Sequence, residues 1–209
     1  MPFDHNDHYH RLLLRQVPPG CRTALDVGCG TGRFARRLAS LGFEVEAIDS
    51  SEEAVEAARA SSAAAASEQR PRFRHADIDQ VELPNGHYDF ISCLASIHHM
   101  PLGTVRALRD ALAPGGVLVI LGCYPERTRT DWAWSLTAVP ANAIARLIVA
   151  VKERISGVRR GGAGVLQAPV KPPTMSLEEI RQEAVVLLPG FTVRRLLFWR
   201  YLLVFRNPA

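Results

Sequence analysis

Gly28, Gly30 and Gly32 follow the short apolar run Arg22 to Val27 and precede a helical pattern that opens at Arg33. Glycine reaches backbone conformations closed to other residues and carries no Cβ, so a ligand can approach its main-chain atoms. A helix beginning just after such a loop turns its first N–H groups toward the same place. This chemistry suits a nucleotide-type cofactor. The dinucleotide fingerprint GxGxxG has its third glycine at the fifth residue after the first; Arg33 stands there, and the spacing is GxGxG instead. Asp49 closes the next apolar run, about twenty residues on. An acid at that place can accept hydrogen bonds from both hydroxyls of a ribose. It can also cap the next helix, in competition with Ser50. The glycine loop and the strand context together favour the ribose.

Two other groups of residues could do chemistry. His98-His99 follows a strand-like run, and a histidine that titrates near neutrality can take a proton from a hydroxyl, indole or amine. The same pair can equally pack into a following helix. At the start of the chain stand Asp4, His5, Asp7, His8, Tyr9 and His10. Dense Asp/His spacing is compatible with a metal, but no cysteine or strand-borne ligand joins it. A helix from Tyr9 to Gln16, with Leu12, Leu13 and Leu14 against a sheet, is the better reading, and no metal is expected. Cys21, Cys29, Cys93 and Cys123 are scattered without a CxxC pair, so reduced thiols are expected rather than a disulfide framework.

These residues sit at regular places in a repeating pattern. Strand-like runs at Arg22 to Val27, Glu44 to Ile48, Arg72 to Ala76, Tyr88 to Cys93 and Val117 to Gly122 alternate with helical segments. The helices are expected at Arg33 to Leu41, from a Ser50–Glu53 capping box to about Ala65, and at Thr104 to Leu112. Pro114-Gly115-Gly116 is expected to turn the last into the fifth strand. Alternation at this spacing means βαβ crossovers and a mainly parallel sheet covered on both faces. Such sheets bind ligands beyond the carboxyl ends of their strands, where the strand order reverses. The glycine loop, Asp49 and the histidine pair all fall just after strands.

Composition narrows the classes. The chain has 209 residues, with 25 Lys plus Arg against 21 Asp plus Glu and a formal charge of +4; all the lysine is Lys152 and Lys171. This excess is too small to require a nucleic-acid partner. No uncharged apolar run approaches the ~20 residues that span a bilayer, and the first eight residues lack the pattern of a secretory leader. A cytoplasmic protein without nucleic-acid or membrane partners is therefore expected, its oligomeric state left open.

Five segments in register carry a family resemblance. Ala24 to Gly32 (ALDVGCGTG) resembles motif I of class I S-adenosylmethionine-dependent methyltransferases, in their small-molecule type 11/12 branch. Ala47 to Ser51, His75 to Ile78, Tyr88 to His99 and Leu112 to Gly116 resemble the later motifs in order. The resemblance implies a Rossmann-like α/β three-layer sandwich with a mostly parallel seven-stranded sheet and a C-terminal antiparallel hairpin strand. It implies S-adenosylmethionine as cofactor and S-adenosylhomocysteine as product. It places Asp26, Gly28, Cys29, Gly30 and Gly32 around the methionine part, Asp49 and Ser50 at the ribose, and Asp77 and Ile78 at the adenine. Cys93 and Leu94 offer backbone acceptors to the ammonium, and Tyr9 or His10 lies near the carboxylate. His98 and His99 are the candidate catalytic pair. A base is needed only where the acceptor must lose a proton, because positioning does much of the work of methyl transfer.

The resemblance implies one domain over 1–209, with an N-terminal cap helix in 1–20 and a substrate-cap insertion at about 124–175. In the insertion, Ile144, Leu147, Ile148, Val151 and Ile155 share a helical face, which can cover the sheet and also wall an apolar pocket. Residues 156–173, rich in glycine and proline and carrying Arg159-Arg160, are expected to form a mobile lid. A Ser176–Glu179 capping box opens a helix to Leu188, and Phe191 to Phe198 and Tyr201 to Arg206 read as strands joined near Trp199-Arg200. The expected function is methyl transfer to a small molecule at O, N or C. Arginine over lysine and abundant alanine point to a GC-rich genome, where such enzymes often serve specialised metabolism. Two alternatives stay open: a cofactor-binding or non-methylating protein on the same scaffold, and a nicotinamide-dependent oxidoreductase, against which GxGxG counts.

Overall fold

The computed structural model describes residues 5–64, 69–94, 103–125, 173–197 and 199–208. His98, His99, all but the last residue of the expected lid at 156–173 and nearly all of the 124–175 insertion lie outside them. The helices are α1 (His5–Leu14), α2 (Arg33–Ala39), α3 (Glu52–Ala63), α4 (Thr104–Asp110) and α5 (Leu177–Leu187). The strands are β1 (Thr23–Val27), β2 (Glu44–Asp49), β3 (Arg72–His75), β4 (Tyr88–Leu94), β5 (Leu112–Cys123), β6 (Thr192–Leu196) and β7 (Arg200–Arg206). They form one seven-stranded sheet in the order β3-β2-β1-β4-β5-β7-β6. Strands β1 to β5 pair in parallel, and β7 runs antiparallel to both β5 and β6. The expected mixed sheet with a C-terminal antiparallel strand is the observed one. Strand order reverses between β1 and β4, which puts the ligand crevice at their carboxyl ends.

Apolar side chains on neighbouring strand positions point to opposite faces, so the continuous hydrophobic runs of the sheet feed two cores. On one face, Ala24, Ala47, Phe90, Val119 and Leu202 meet Tyr9 and Leu13 of α1 and Phe34 and Leu38 of α2. On the other, Leu25, Ile48, Ile91, Leu118 and Phe205 meet Val105 and Leu108 of α4 and Leu177 and Ile180 of α5. The helices therefore sandwich the sheet. Arg109 of α4 ties that layer together by donating from Nη1 to the Leu187 carbonyl of α5 at 2.9 Å.

Local chemistry shifts several boundaries. The helix after Asp49 is capped by Ser51, whose Oγ accepts from Ala54 N–H at 3.2 Å, so the expected Ser50–Glu53 box is displaced by one residue. The physical reason is Asp49, whose carboxylate takes the Ser51 N–H and sets the entry to the helix. The Ser176–Glu179 box is observed as expected. The α1 helix runs earlier than the Tyr9–Gln16 pattern. Strand β5 already begins at Leu112, and Pro114-Gly115-Gly116 forms an outward excursion between the Tyr88–Leu112 and Phe90–Val117 pairs. Asn207 holds that excursion, donating from Nδ2 to the Leu112 and Ala113 carbonyls, both at 3.0 Å. Only glycine fits at 116, where a Cβ would lie 2.8 Å from the Ala113 carbonyl and 2.9 Å from that of Tyr88. At the final hairpin, Arg200 belongs to β7 and Trp199 takes the turn conformation with φ 57°.

The amino edge of the sheet has its own clamp. The Asp89 carboxylate of β4 accepts from the main-chain N–H of Arg22 (2.8 Å) and Thr23 (3.0 Å) and from Thr23 Oγ (3.1 Å). Burial opposes the charge, but the Thr23 and Arg22 hydrogen bonds outweigh it and hold the carboxyl below its ordinary value. A lowered native pKa contributes stability that is present above the unfolded value and lost as pH falls through the native one. Asp89→Ala should therefore lower unfolding stability at pH 7 by about 1 kcal/mol, after discounting for solvent screening. The gap between variant and wild type should close as pH falls below about 4, read as urea midpoints across that range.

Candidate active site

The loop after β1 is built by main-chain hydrogen bonds. Gly28 and Cys29 N–H both donate to the Ile48 carbonyl, at 2.8 and 3.1 Å. Gly32 N–H returns to the Cys29 carbonyl at 2.9 Å, and Arg36 Nη1 holds the Thr31 carbonyl at 2.8 Å from the first turns of α2. Gly30 has φ +53° and a Cβ placed on it would meet no atom within 4 Å, so open space lies above the loop there. Gly32, with φ +72°, has the opposite surroundings: a Cβ would run into the Phe73 ring and Ala58 Cβ. The first glycine leaves room for a ligand, and the second lets α2 approach β3 and α3.

Asp49 ends β2 beside this loop. Its Oδ2 accepts from Gly30 N–H at 2.7 Å and its Oδ1 from Ser51 N–H at 2.9 Å. The carboxylate thus does both things open to it in the sequence: it shapes the start of α3 and fixes the glycine loop. A carboxylate has about four lone-pair sites, so acceptor capacity beyond these two bonds is left for hydroxyl donors. Ser50 is exposed, and its carbonyl lies 3.1 Å from His75 Nε2.

Asp26 is sealed beneath the loop at 1% exposure. Ser92 Oγ of β4 donates to its Oδ1 at 2.7 Å. Burial is the main force on its carboxyl and pushes it up to about 7; the nearby Asp49 charge adds to this, while Ser92 and the Ala35 N–H of α2 oppose it. Burial also pushes up the thiols of Cys29 and Cys93, with Asp26 acting in the same direction on both.

The remaining predicted residues fall around the same sheet edge or just below it. Asp77 is exposed and its Oδ1 accepts from Asp79 N–H at 3.2 Å, capping a single 3-10 turn at Ile78–Gln80. Ile78 is buried in the core with Ile48. Thr104 Oγ of α4 donates to Asp79, which fixes this turn against the helix. Cys93 is buried and Leu94 half-buried at the end of β4, where Val27 pairs with Cys93. Tyr9 is buried too, and its hydroxyl donates to the Leu197 carbonyl at 2.8 Å. Burial raises that hydroxyl to about 12, so it stays protonated and tethers α1 to the C-terminal hairpin. The sequence reading missed Ser92, Arg36 and Asp89. A polar residue inside the apolar run Phe90 to Cys93 is a signal that could have found Ser92.

This arrangement of glycine loop, Asp49 and switch point has known counterparts. A methyltransferase domain family matches residues 24–116, which hold the loop, Asp49, Asp77 and the end of β4. An uncharacterised methyltransferase of Mycobacterium tuberculosis is 34% identical over 100% of this chain and 98% of its own. A ubiquinone biosynthesis O-methyltransferase of Xanthomonas campestris is 36% identical over 66% of this chain and 56% of its own. An S-adenosylmethionine-dependent methyltransferase from Mesorhizobium loti has the same fold, with a TM-score of 0.62 at 18% identity over 96% of both chains. The chain belongs to the methyltransferase family, in its class I, S-adenosylmethionine-dependent branch. The open space at Gly30 and the remaining acceptor capacity of Asp49 fit that cofactor.

The raised carboxyl of Asp26 makes a pH-dependent prediction. Its native value of about 7 lies above the ordinary 3.8. Its contribution to stability is complete below the unfolded value and is lost as pH rises through about 7. Asp26→Asn mimics the neutral acid, so wild type should lose about 1–4 kcal/mol relative to the variant between pH 4 and pH 8. Urea unfolding of both proteins without cofactor at those two pH values measures it. Separately, Gly32→Ala should lower the melting temperature through the Phe73 collision and the left-handed backbone, at a cost of about 1–3 kcal/mol.

Proposed function

We propose that this protein transfers the methyl group of S-adenosylmethionine to a small-molecule acceptor through an oxygen, nitrogen or carbon nucleophile. The observation that carries this reading is the Asp49 carboxylate, held by Gly30 and Ser51 N–H beside a glycine loop with open space above it. When bound, the cofactor supplies an electrophilic methyl on a sulfonium whose thioether departs neutral. Asp49 accepts from the ribose hydroxyls, and the Gly28–Gly32 loop lines the methionine part. The backbone acceptors at Cys93 and Leu94 orient the ammonium, and Asp77 and Ile78 flank the adenine. A cationic group near Asp26 would favour its ionised form and offset the burial that raises its carboxyl. His98 or His99 takes the acceptor's proton where the nucleophile has one to lose.

A small-molecule acceptor is supported by the 36% identity, over 66% of this chain, to an enzyme named as a ubiquinone biosynthesis O-methyltransferase and by the modest net charge of +4. The expected substrate-cap insertion at about 124–175 supplies a separate stretch for acceptor choice, and specialised metabolism is the proposed setting.

The test uses methyl-labelled cofactor and a panel of phenols, amines and carbon acids. Labelled product together with S-adenosylhomocysteine is expected. Cofactor binding with no labelled product across the panel would turn the reading to a non-methylating role. Asp49→Ala should weaken cofactor binding by about 1–3 kcal/mol, measured by calorimetry; unchanged affinity would remove the ribose assignment.

A further inference from the structure

A cleft of about 420 Å³ lies between α1 and α2, lined by His10, Arg11, Leu14, Arg33, Arg36 and Arg37. None of these residues belongs to the Gly28–Gly32 loop, and none is Asp49 or Asp77. The helical repeat explains the convergence. Arg33, Arg36 and Arg37 stand at i, i+3 and i+4 on one face of α2, and on α1 His10 and Arg11 each stand within one turn of Leu14, at i−4 and i−3 from it. Leu13 and Leu38, both buried, belong to the core that joins these helices to the sheet, and the His10 ring lies 4.9 Å from that of Phe34.

Among the described residues no side chain lining the cleft is acidic, and the α2 sequence Arg33–Ala39 contains no acid. Arg11, Arg33 and Arg37 are exposed, while Arg36 is half-buried and steadied on the Thr31 carbonyl at 2.8 Å. Burial, then the neighbouring Arg33 charge, lower the Arg36 guanidinium from its ordinary value. An anion in the cleft would relieve that crowding.

We propose that this cleft is a binding site for a phosphate-bearing small molecule, a phosphomonoester or pyrophosphate group held among Arg11, Arg33, Arg36 and Arg37. Planar guanidinium forks match phosphate oxygens two at a time, and several converging charges match a dianion better than a single carboxylate. The volume falls within the range of small-ligand pockets, about 300–1,000 Å³, and the cleft is open to solvent, which gives a charged, soluble molecule direct access. Leu14 gives the carbon part of an ester an apolar contact. Apart from His10, which the cofactor reading also places near the methionine carboxylate, the site uses none of the cofactor residues, and its arginines stand or fall without that reading.

The test titrates pyrophosphate into the full-length protein by calorimetry at low salt, with Arg11→Gln/Arg37→Gln and Arg11→Lys/Arg37→Lys variants alongside. Both positions are exposed, and circular dichroism with cofactor affinity checks that each variant remains folded. Saturable binding is expected, weakened about tenfold or more in the glutamine pair and partly restored in the lysine pair. Saturating S-adenosylhomocysteine should leave pyrophosphate affinity unchanged. Equal affinity in wild type and the glutamine pair, or no pyrophosphate binding, would overturn the site. Displacement by S-adenosylhomocysteine would do the same, by assigning the anion to the cofactor crevice. Sedimentation with phosphatidic-acid vesicles without pyrophosphate binding would assign the arginines to a membrane face and also overturn it.

Discussion

The carboxyl edge of the sheet is organised around an acid that is expensive to ionise. Asp26 sits on the interior strand β1 with almost no exposure, and a charge there would lose its hydration. It keeps company with Ser92 of β4, the Ala35 N–H of α2 and the charge of Asp49 at the end of β2. Four elements thus converge on one carboxyl group at the place where strand order reverses. Burial and Asp49 together favour the neutral form, and hydrogen bonding alone does not reverse this. A cofactor with a cationic end would answer that imbalance, which makes the site's electrostatics and its ligand two sides of one constraint.

Asp49 carries the next level. By holding Gly30 and Ser51 together it joins the glycine loop to the start of α3. The loop is otherwise secured by main-chain bonds to Ile48 and by Arg36 on Thr31, so its residues need small size and unusual backbone angles more than particular side chains. Charge is sorted by this layout. Asp26 and Asp49 lie at the ends of β1 and β2, while facing positions of α1 and α2 gather arginine. The chain's net charge of +4 says little by itself; four arginines lining one cleft have local chemistry.

Much of this was legible in the chain because parallel strands and their crossover helices have different periods. The apolar runs and the glycine and serine punctuation located β1 to β4, α2, α3 and α5 closely, and GxGxG with Asp49 marked the loop. Errors gathered where two local partners compete. Asp49 takes the Ser51 amide and moves the helix cap by one residue. Asn207, ninety-odd positions away from Leu112, stabilises an excursion inside β5 that reads locally as a simple turn.

The sequence by itself determined the class of fold, the glycine loop and the carboxyl groups placed at the strand ends beside it, because those depend on short-range period and spacing. Only the tertiary structure decided what state those groups are in. Asp26 is raised because the sheet buries it and the end of β2 brings a second charge near. Tyr9 is a tether because the hairpin presents the Leu197 carbonyl to it across the whole length of the chain. The arginines of α1 and α2 form one cleft because two amphipathic helices dock on the same core. Burial, long-range hydrogen bonds and the meeting of separate faces are properties of packed surfaces, and no window of sequence contains both sides of such a contact.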